Sequence, residues 1–443
     1  MSELCAYTTI AAGKDKRPVS VPAHQQVKGE FPPKYIYVIR DTSLPSAFQG
    51  SETWCEFSLP REMGVLENMR LVVDITAKDN NTTLMPTPYW CSRVEYYWGS
   101  DLVETTYADD MFHEVAGMVP KPYFENIADK MNLNQDYSLN RYPVPAGQSR
   151  WFVPLVSHLS SMKPFVRGFE SIIKVRVYFS SSITFAGGVP FSSGSLAQPN
   201  PTNAPTLNEV QLFVCEAQMS RENTEKAERL HKNGVVHYSG IFRERQSDAL
   251  SFNSSGTTAQ YLRSFKHDSA GLVVYIQDQS LQSNASDVVL APVHDITLQD
   301  AVGNKLTEQI RSDFSKTFVF TDHIDSNFTT HPRNEQPDGA NLYLISFTSS
   351  FSDTLRTGNC FGKRALTSQE RLIYTPVNVG KDLEAPSSAD LAKPVRPRPE
   401  DDIGTPANAV VNVVSYSYGM IVCKGGKHHV HMVSTADEKN KSW

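Results

Sequence analysis

The stretch EVQLFVCEAQMSRENTEKAERLHKNG, residues 209–234, sets the organisation of the whole chain. Its first part is rich in apolar and β-branched side chains, which is typical of a strand. Its second part begins at Ser220, carries acidic residues early and basic residues late, and is followed by Gly234, which is the pattern of a capped helix. We therefore expect a strand over 209–219 and a helix over 220–233 that is too polar to lie in a core.

Two copies of one pattern flank this stretch. Residues 71–75 read LVVDI and residues 272–276 read LVVYI, and 272 minus 71 gives an offset of 201 residues. The turn GSDL at 99–102 follows one predicted strand, and GNKL at 303–306 follows another at 298–302, at an offset of 204 residues. Because similar features recur in the same order at nearly one offset, the chain is predicted to contain two copies of a β unit of ~200 residues.

Short β-rich runs separated by Gly, Pro, Asn and Asp fill both copies, so the chain is predicted to be all-β. The turns of the form GxxL indicate hairpins between antiparallel strands. A jelly roll of eight strands in two sheets suits each copy because it exposes few strand edges. The predicted fold is therefore two tandem eight-stranded antiparallel jelly-roll sandwiches, a double jelly roll, joined by a short helix. The predicted strands include 69–75, 94–98, 171–179, 209–219, 272–277, 317–321, 342–347 and 409–422, and a second helix is predicted at 107–116.

The composition is that of an ordinary globular protein. Of 443 residues, 40% are hydrophobic and 20% are charged, and the formal net charge is -6. This balance gives no bulk attraction to nucleic acid or anionic lipid. No run approaches the ~18 apolar residues of a membrane span and the N-terminus lacks the order of a signal peptide, so we expect synthesis in the cytosol. The six cysteines are scattered without a CxxC pair, which favours reduced, buried thiols.

Motifs for catalysis or metal binding are weak in this sequence. It lacks GxSxG, HExxH and the dinucleotide fingerprint. His429 and His431 would share one face of a strand and could bind copper or zinc, but no third ligand lies at a suitable spacing. We therefore predict no catalytic residue, no cofactor and no metal site, with His429 and His431 as a weak candidate pair only. Asp109 and Asp110 are adjacent, so their side chains are expected to diverge, which favours a solvated or interface role over catalysis.

The order and spacing of these segments resemble the double jelly-roll major capsid proteins of icosahedral double-stranded DNA viruses. The resemblance is to the type found in nucleocytoplasmic large DNA viruses, polinton-like viruses and virophages. It covers most of the chain, from about Tyr35 to about His431. The segments that carry it are 69–76, VEYYWGSDL at 94–102, the strand and helix start at 209–222, QPDGANL at 336–342 and the closing strand at 412–420.

Together with the resemblance, these patterns divide the chain into five parts. We expect an extended N-terminal arm at 1–33, a first jelly roll at 34–219, a linker helix at 220–235, a second jelly roll at 236–431 and a C-terminal tail at 432–443.

The resemblance implies a structural protein of the virion that is not an enzyme. Three copies would form a pseudo-hexagonal homotrimeric capsomer, and capsomers would tile the icosahedral shell. The implied partners are neighbouring capsomers, penton proteins and minor capsid proteins, with no specific binding of nucleic acid. The arm would contact minor proteins or a membrane on the inner face.

Two other classes of function stay open at this point. One is an enzyme on two jelly rolls, either a copper monooxygenase that uses histidines 428–431 or a glycan amidase. Such enzymes are usually secreted and disulfide-bonded, which this chain does not resemble. The other is a lectin-like binding module, which predicts a monomer or dimer with affinity for sugars.

Overall fold

Strands make up most of the described residues in the computed structural model of this chain. The structure describes residues 19–21, 31–45, 53–78, 83–118, 128–131, 146–180, 183–185, 191–192, 195–196, 205–253, 256–263, 265, 267–278, 291, 293–306, 310–311, 342–351, 354–355, 362–376 and 405–432. The predicted strand at 317–321 lies outside these residues.

In the part of the chain that the structure describes, thirteen strands precede the linker helix and ten follow it. The first group is β1 (Val19–Val21), β2 (Lys34–Ile39), β3 (Trp54–Ser58), β4 (Val65–Ala77), β5 (Thr83–Leu84), β6 (Cys91–Trp98), β7 (Asp101–Tyr107), β8 (Gly147–Pro154), β9 (Ile173–Phe179), β10 (Thr184–Phe185), β11 (Phe191–Ser192), β12 (Ser195–Leu196) and β13 (Thr206–Ala217). The second group is β14 (Val235–Ser251), β15 (Thr258–Tyr261), β16 (Asp268–Asp278), β17 (Val293–Gln299), β18 (Ile310–Arg311), β19 (Tyr343–Ser346), β20 (Arg364–Ala365), β21 (Arg371–Pro376), β22 (Asn408–Lys424) and β23 (Lys427–Met432).

Eight strands of each roll form the same pair of sheets, and in the second roll β1, β20 and β23 extend one of these sheets to seven strands. In the first, the orders are β2-β13-β4-β8 and β3-β9-β6-β7, and in the second they are β14-β22-β16-β19 and β15-β21-β17-β18. When the eight strands of each roll are numbered in chain order, one sheet of each roll has the order 1-8-3-6 and the other has the order 2-7-4-5. This is the strand order of a jelly roll, and the predicted double jelly roll is confirmed.

The internal repeat occupies equivalent places in the two rolls. Residues 71–75 lie in β4 and residues 272–276 lie in β16, and each is the third major strand of its roll. Gly99 has φ +64°, which an L side chain rarely adopts, and it turns β6 into β7 as the GxxL pattern predicts. In the second copy, the predicted end of the strand at 298–302 is wrong. β17 stops at Gln299 because the Asp300 carboxylate accepts the N–H groups of Val302 and Asn304 and starts the turn there.

Three α-helices occur among the described residues, namely α1 (Ala108–Met118), α2 (His158–Met162) and α3 (Arg221–Asn233), with 3-10 turns at Thr87–Trp90, Ala128–Met131 and Val166–Gly168. α3 confirms the predicted capped helix, since the Ser220 hydroxyl accepts the N–H of Asn223 at 3.3 Å. Only Ala227 and His231 of α3 are buried, as its polar sequence predicts. α1 confirms the second predicted helix, whereas the short α2 was not predicted. None of the described helices has the length and apolar character needed to cross a membrane.

The two rolls share part of one core. β14 and β22 are each 17 residues long and pair along their whole length. Their outer halves leave the second roll, so that Tyr238, Phe242 and Ile421 pack into the core of the first. The four described cysteines are free thiols, in line with the sequence, and three of them are buried.

Candidate functional site

The two rolls are joined by a helix of the first roll that lies on the outer face of a sheet of the second. α1 follows β7, and its acidic side chains face the β14-β22-β16 sheet. On β14, Arg243 and Arg245 are two residues apart, so both side chains point to the same face. Each of these arginines is the centre of a cluster of buried polar groups.

The Arg243 cluster consists of Arg243, Glu104, Glu114 and His158. Arg243 donates from Nε to Glu114 Oε2 at 2.7 Å and from Nη1 to Glu104 Oε1 at 3.3 Å, and its side chain is only 5% exposed. Burial opposes ionisation of Glu104, but the hydrogen bond from His158 and the charge of Arg243 outweigh it and lower the pKa of Glu104. The cluster therefore keeps an ionised carboxylate and a guanidinium in contact inside the protein.

The tautomer of His158 follows from its neighbours. The Trp98 indole is a donor only, and its Nε1 donates to His158 Nε2 at 3.0 Å. Nε2 is therefore an acceptor, and Nδ1 carries the hydrogen that bonds Glu104 Oε2 at 2.7 Å. His158 is thus neutral and links a tryptophan in the core of the first roll to the carboxylate that faces β14.

The Arg245 cluster consists of Arg245, Asp109, Asp110 and Tyr275. Arg245 donates to Asp109 through two N–H groups at 2.6 and 2.8 Å, and it lies 3.4 Å from Asp110 Oδ2. The Tyr275 hydroxyl lies 2.9 Å from Asp109 and 2.7 Å from Asp110. The expectation that the two aspartates diverge is wrong, because the start of α1 aims both at the same arginine and tyrosine. Of the two predicted roles for this pair, the structure supports the interface role.

Burial and charge affect these two carboxyl groups differently. For Asp109, burial is outweighed by the charge and hydrogen bonds of Arg245, and its pKa is lowered. For Asp110, burial dominates, and the neighbouring charge of Asp109 adds to it against Arg245, which raises the pKa of Asp110 to about 7. The pair thus contains one ionised and one readily protonated carboxyl group.

The histidine-rich strand β23 contacts the first roll through His428. Its Nδ1 lies 2.8 Å from Ser171 Oγ and its Nε2 lies 3.1 Å from Asp101 Oδ2. His429, one of the two weak metal candidates, is exposed, and its backbone pairs with Val422. The backbone of His431 pairs with Met420, and its side chain lies outside the described part of the structure. Among the described residues, no three His, Cys, Asp or Glu side chains are grouped as metal ligands.

An apolar strip lies on the free edge of the first roll, on β2. Tyr35, Tyr37 and Ile39 alternate along this strand and are 58%, 52% and 68% exposed. The rings of Tyr35 and Tyr37 pack against Phe213 of β13, with centroids 5.4 and 4.9 Å away. An exposed edge strand with outward aromatic side chains is a surface on which another chain can add.

The equivalent edge of the second roll is partly covered. There β1 pairs in parallel with the start of β14, through residues 19–21 and 236–238. Beyond β2, no strand pairs at the free edge among the described residues. The two edges therefore differ in part, because β1 covers three residues at the start of β14 whereas no described strand covers any residue of β2.

The two arginines that organise the junction were not predicted from the sequence. A signal was present, because FRERQSD at 242–248 continues an apolar strand with two arginines that are two residues apart. Charges on one face of a long strand indicate either solvent or a charged partner, and only the fold shows that α1 is the partner.

Comparison with solved structures shows the same fold in viral capsid proteins. PBCV-1 VP54, from a crystal structure fitted into a reconstruction of the virophage Sputnik, matches with a TM-score of 0.66 and 14% identity, over 92% of this chain and 98% of that one. The cryo-EM structure of the Sputnik virophage matches with a TM-score of 0.56 and 10% identity, over 98% and 94% of the two chains. The Faustovirus major capsid protein matches with a TM-score of 0.55 and 9% identity, over 94% and 93%.

No protein-family model and no curated sequence matches the chain. The chain therefore has the double jelly-roll fold of these major capsid proteins, with little sequence identity to them.

Proposed function

We propose that this protein is the major capsid protein of an icosahedral double-stranded DNA virus and that it has a structural rather than an enzymatic role. The observation that carries the proposal is the presence of two complete jelly rolls in one chain, fixed to each other by a shared core and two buried charge clusters. Three such chains supply six similar rolls, so a three-fold trimer fills a six-fold position of a lattice. The shared fold with the Faustovirus major capsid protein supports this role.

Rigidity between the rolls is what such a capsomer needs. If the rolls could move relative to each other, the six sides of the block would not have fixed positions. A junction of buried ion pairs is suited to this task because breaking one partner of a buried pair is costly.

The proposed boundaries follow the predicted ones, with rolls at 34–219 and 236–431, the linker helix at 220–235, the arm at 1–33 and the tail at 432–443. The structure adds a reason to regard the rolls as inseparable, since the outer parts of β14 and β22 complete the first core. Minor capsid proteins and pentons are the proposed further partners, with the virion as the site of action. Deletion of residues 1–30 is expected to weaken assembly if the arm ties capsomers together.

The free edge of β2 is the proposed contact with the next copy in the trimer. The two rolls differ at this edge, because β1 covers the start of β14 in the second roll whereas no described strand covers β2. A strand or loop of a second copy on β2 would cover Tyr35, Tyr37 and Ile39, which are otherwise exposed to water.

Native mass by light scattering tests the proposal. A trimer of 49.4 kDa chains has three times that mass, 148.2 kDa. Negative-stain images of that peak are expected to show a pseudo-hexagonal outline. A chain that stays at 49.4 kDa over the whole accessible concentration range would overturn the proposed function.

A matched pair of variants tests the contact separately. Tyr37→Glu places a charge in the strip and is expected to shift the mass to that of a monomer. Tyr261→Glu is the control. Tyr261 is also an exposed tyrosine, at 45%, but it lies on β15, in the β15-β21-β17-β18 sheet of the second roll. If the wild type and Tyr37→Glu are both trimeric, the capsomer stands and the assignment of the β2 edge is wrong.

A further inference from the structure

The junction between the rolls contains more negative than positive side chains. The Arg245 cluster contains two carboxyl groups and one guanidinium, and so does the Arg243 cluster. An unpaired charge inside a protein is costly, so a buried excess of carboxylates favours the uptake of a proton. The hydrogen bonds of the Arg245 cluster indicate where that proton lies.

One hydroxyl group serves two carboxyl groups in this cluster. Tyr275 lies within hydrogen-bonding distance of both Asp109 Oδ2 and Asp110 Oδ1, but a hydroxyl has a single hydrogen to donate. If both aspartates were ionised, one carboxylate would face a lone pair of the Tyr275 oxygen. A proton on Asp110 removes this conflict, because Asp110 then donates to Tyr275 and Tyr275 donates to Asp109.

Arg245 decides which aspartate stays ionised. It offers two N–H groups to Asp109 at 2.6 and 2.8 Å, which is a bidentate contact, but approaches Asp110 only at 3.4 Å. The stronger contact stabilises the carboxylate of Asp109. For Asp110, burial and the neighbouring negative charge of Asp109 favour the protonated form and outweigh the opposing effects of Arg245 and Tyr275.

His113 lies one turn further along α1, and its burial favours the loss of a proton rather than its uptake. The ring of His113 packs against Tyr275 at 4.7 Å between centroids, and the residue is 2% exposed. In the described part of the chain, neither ring nitrogen has a hydrogen-bond partner. Burial makes the imidazolium unfavourable and lowers the pKa of His113 to about 4, although the charge of Asp109 opposes this.

We propose that Asp110 and His113 form a proton-compensating pair that makes the docking of α1 on the second roll insensitive to weak acid. When the junction closes, Asp110 gains a proton and His113 loses one, so both groups are buried without charge. This property belongs to the folded chain and goes beyond the proposed capsid role, whether or not copies assemble. The titratable and charged groups around the pair are Asp109 and Glu114 of α1, Glu104 and Tyr107 of β7, Arg243 and Arg245 of β14, Tyr275 of β16 and Tyr416 of β22.

Proton counting gives the expected pH dependence. In an open junction, Asp110 and His113 have the ordinary pKa values of 3.8 and 6.5, so between about pH 4 and 6.5 the pair holds one proton, on His113. In the closed junction it also holds one, on Asp110. Because the count is equal, the pair contributes no slope to the closing equilibrium over this range.

Each single variant removes one group of the pair, so the pH dependence of opening then reports the other group alone. In Asp110→Asn, closing must expel the His113 proton, so the opening constant rises as the pH falls, by roughly 40-fold from pH 6.5 to 4.5. In His113→Phe, closing takes up a proton on Asp110, so the opening constant falls by about the same factor as the pH falls. The double variant is expected to run parallel to the wild type.

Hydrogen exchange of the α1 backbone amides in the full chain measures this opening. At each pH the exchange rate of a variant is divided by that of the wild type, which removes the intrinsic pH dependence of exchange. Asp248→Asn is the control, because Asp248 lies on the same strand β14 but bonds Gln246 and Gln260 outside both clusters. This control is expected to show a constant ratio from pH 6.5 to 4.5.

A constant ratio for Asp110→Asn would show that His113 keeps its proton in the closed junction, and a constant ratio for His113→Phe would show that Asp110 is ionised there. Either result overturns the proposal. A second measurement does not depend on variant stability. The infrared difference between wild type and Asp110→Asn at pH 5.5 is expected to contain the band of one protonated carboxyl group, and its absence would also overturn the proposal.

Discussion

Arg243→Met is the sharpest test of the charged junction. The methionine keeps an apolar stem of similar length but removes the only guanidinium that contacts both Glu104 and Glu114 among the described residues. Both carboxylates would then be buried beside each other without a counter-charge, and Glu104 is 0% exposed at its side chain. Removing one partner of a buried ion pair costs about 3–5 kcal/mol. Because the two rolls share a core and unfold as one unit, an unfolding entropy of ~2.1 cal/mol/K per residue gives a fall in Tm of roughly 3–5 °C.

Arg150→Met is the matched control. Arg150 also makes a bidentate contact to one carboxylate, Asp74, at 2.7 and 2.8 Å, but its side chain is 58% exposed. Water therefore stabilises Asp74 when the arginine is removed, and the expected cost is ~0.2–1 kcal/mol. The two variants remove the same chemical group and differ in burial.

Scanning calorimetry of the full-length variants at pH 7 gives both Tm values. The triple variant with Arg243→Met, Glu104→Gln and Glu114→Gln is expected to recover part of the loss, since neutral amides leave no buried charge. If Arg243→Met lowers Tm by no more than Arg150→Met does, the junction does not depend on its ion pairs, and the explanation of inter-roll rigidity given above is wrong.

Three further substitutions or reactions test local features of the fold. Gly168→Ala would place a Cβ 2.4 Å from Cδ2 of His231 and is expected to cost ~1–3 kcal/mol in thermal unfolding, whereas Gly256→Ala meets nothing within 4 Å and should be neutral. Ser220→Ala removes the cap of α3 and is expected to cost ~0.5–2 kcal/mol in the same assay, and no loss would show that the cap is dispensable. Burial raises the pKa of Cys55 to about 12, so peptide mass spectrometry should find this thiol unalkylated by iodoacetamide at pH 8 in the folded protein and alkylated after unfolding.

The fold could be predicted because the patterns that specify it are local and occur twice. The motif LVVxI marks the same strand in both rolls, and Gly99 marks a turn that requires a positive φ. Ser220 caps the start of the linker helix, and Gly234 ends it in an extended conformation with its N–H bonded to the carbonyl of Leu230, so both ends depend on neighbours in sequence. Such signals survive in a single sequence because each needs only a few adjacent residues.

The junction could not be predicted because its partners are far apart in the chain. Arg243 and Glu114 are 129 residues apart, and Arg245 and Asp109 are 136 apart. Sequence reasoning placed the two aspartates on divergent faces, whereas one arginine and one tyrosine of the second roll gather both. Only the packing of α1 on the sheet brings these groups together, and no periodicity reports that packing.

The sharing of one core by two rolls has a consequence for how the chain can be made. Ile421 and Cys423 belong to the core of the first roll, yet the last strand of that roll ends at Ala217. The ribosome must add 423 minus 217, or 206, residues before this core can close. At ~5–20 residues per second, the delay is roughly 10–40 s, during which the first roll holds an incomplete apolar interior. Folding of the first roll therefore ends after translation of the second, and a ribosome that stops early releases two unfinished sandwiches rather than one finished one.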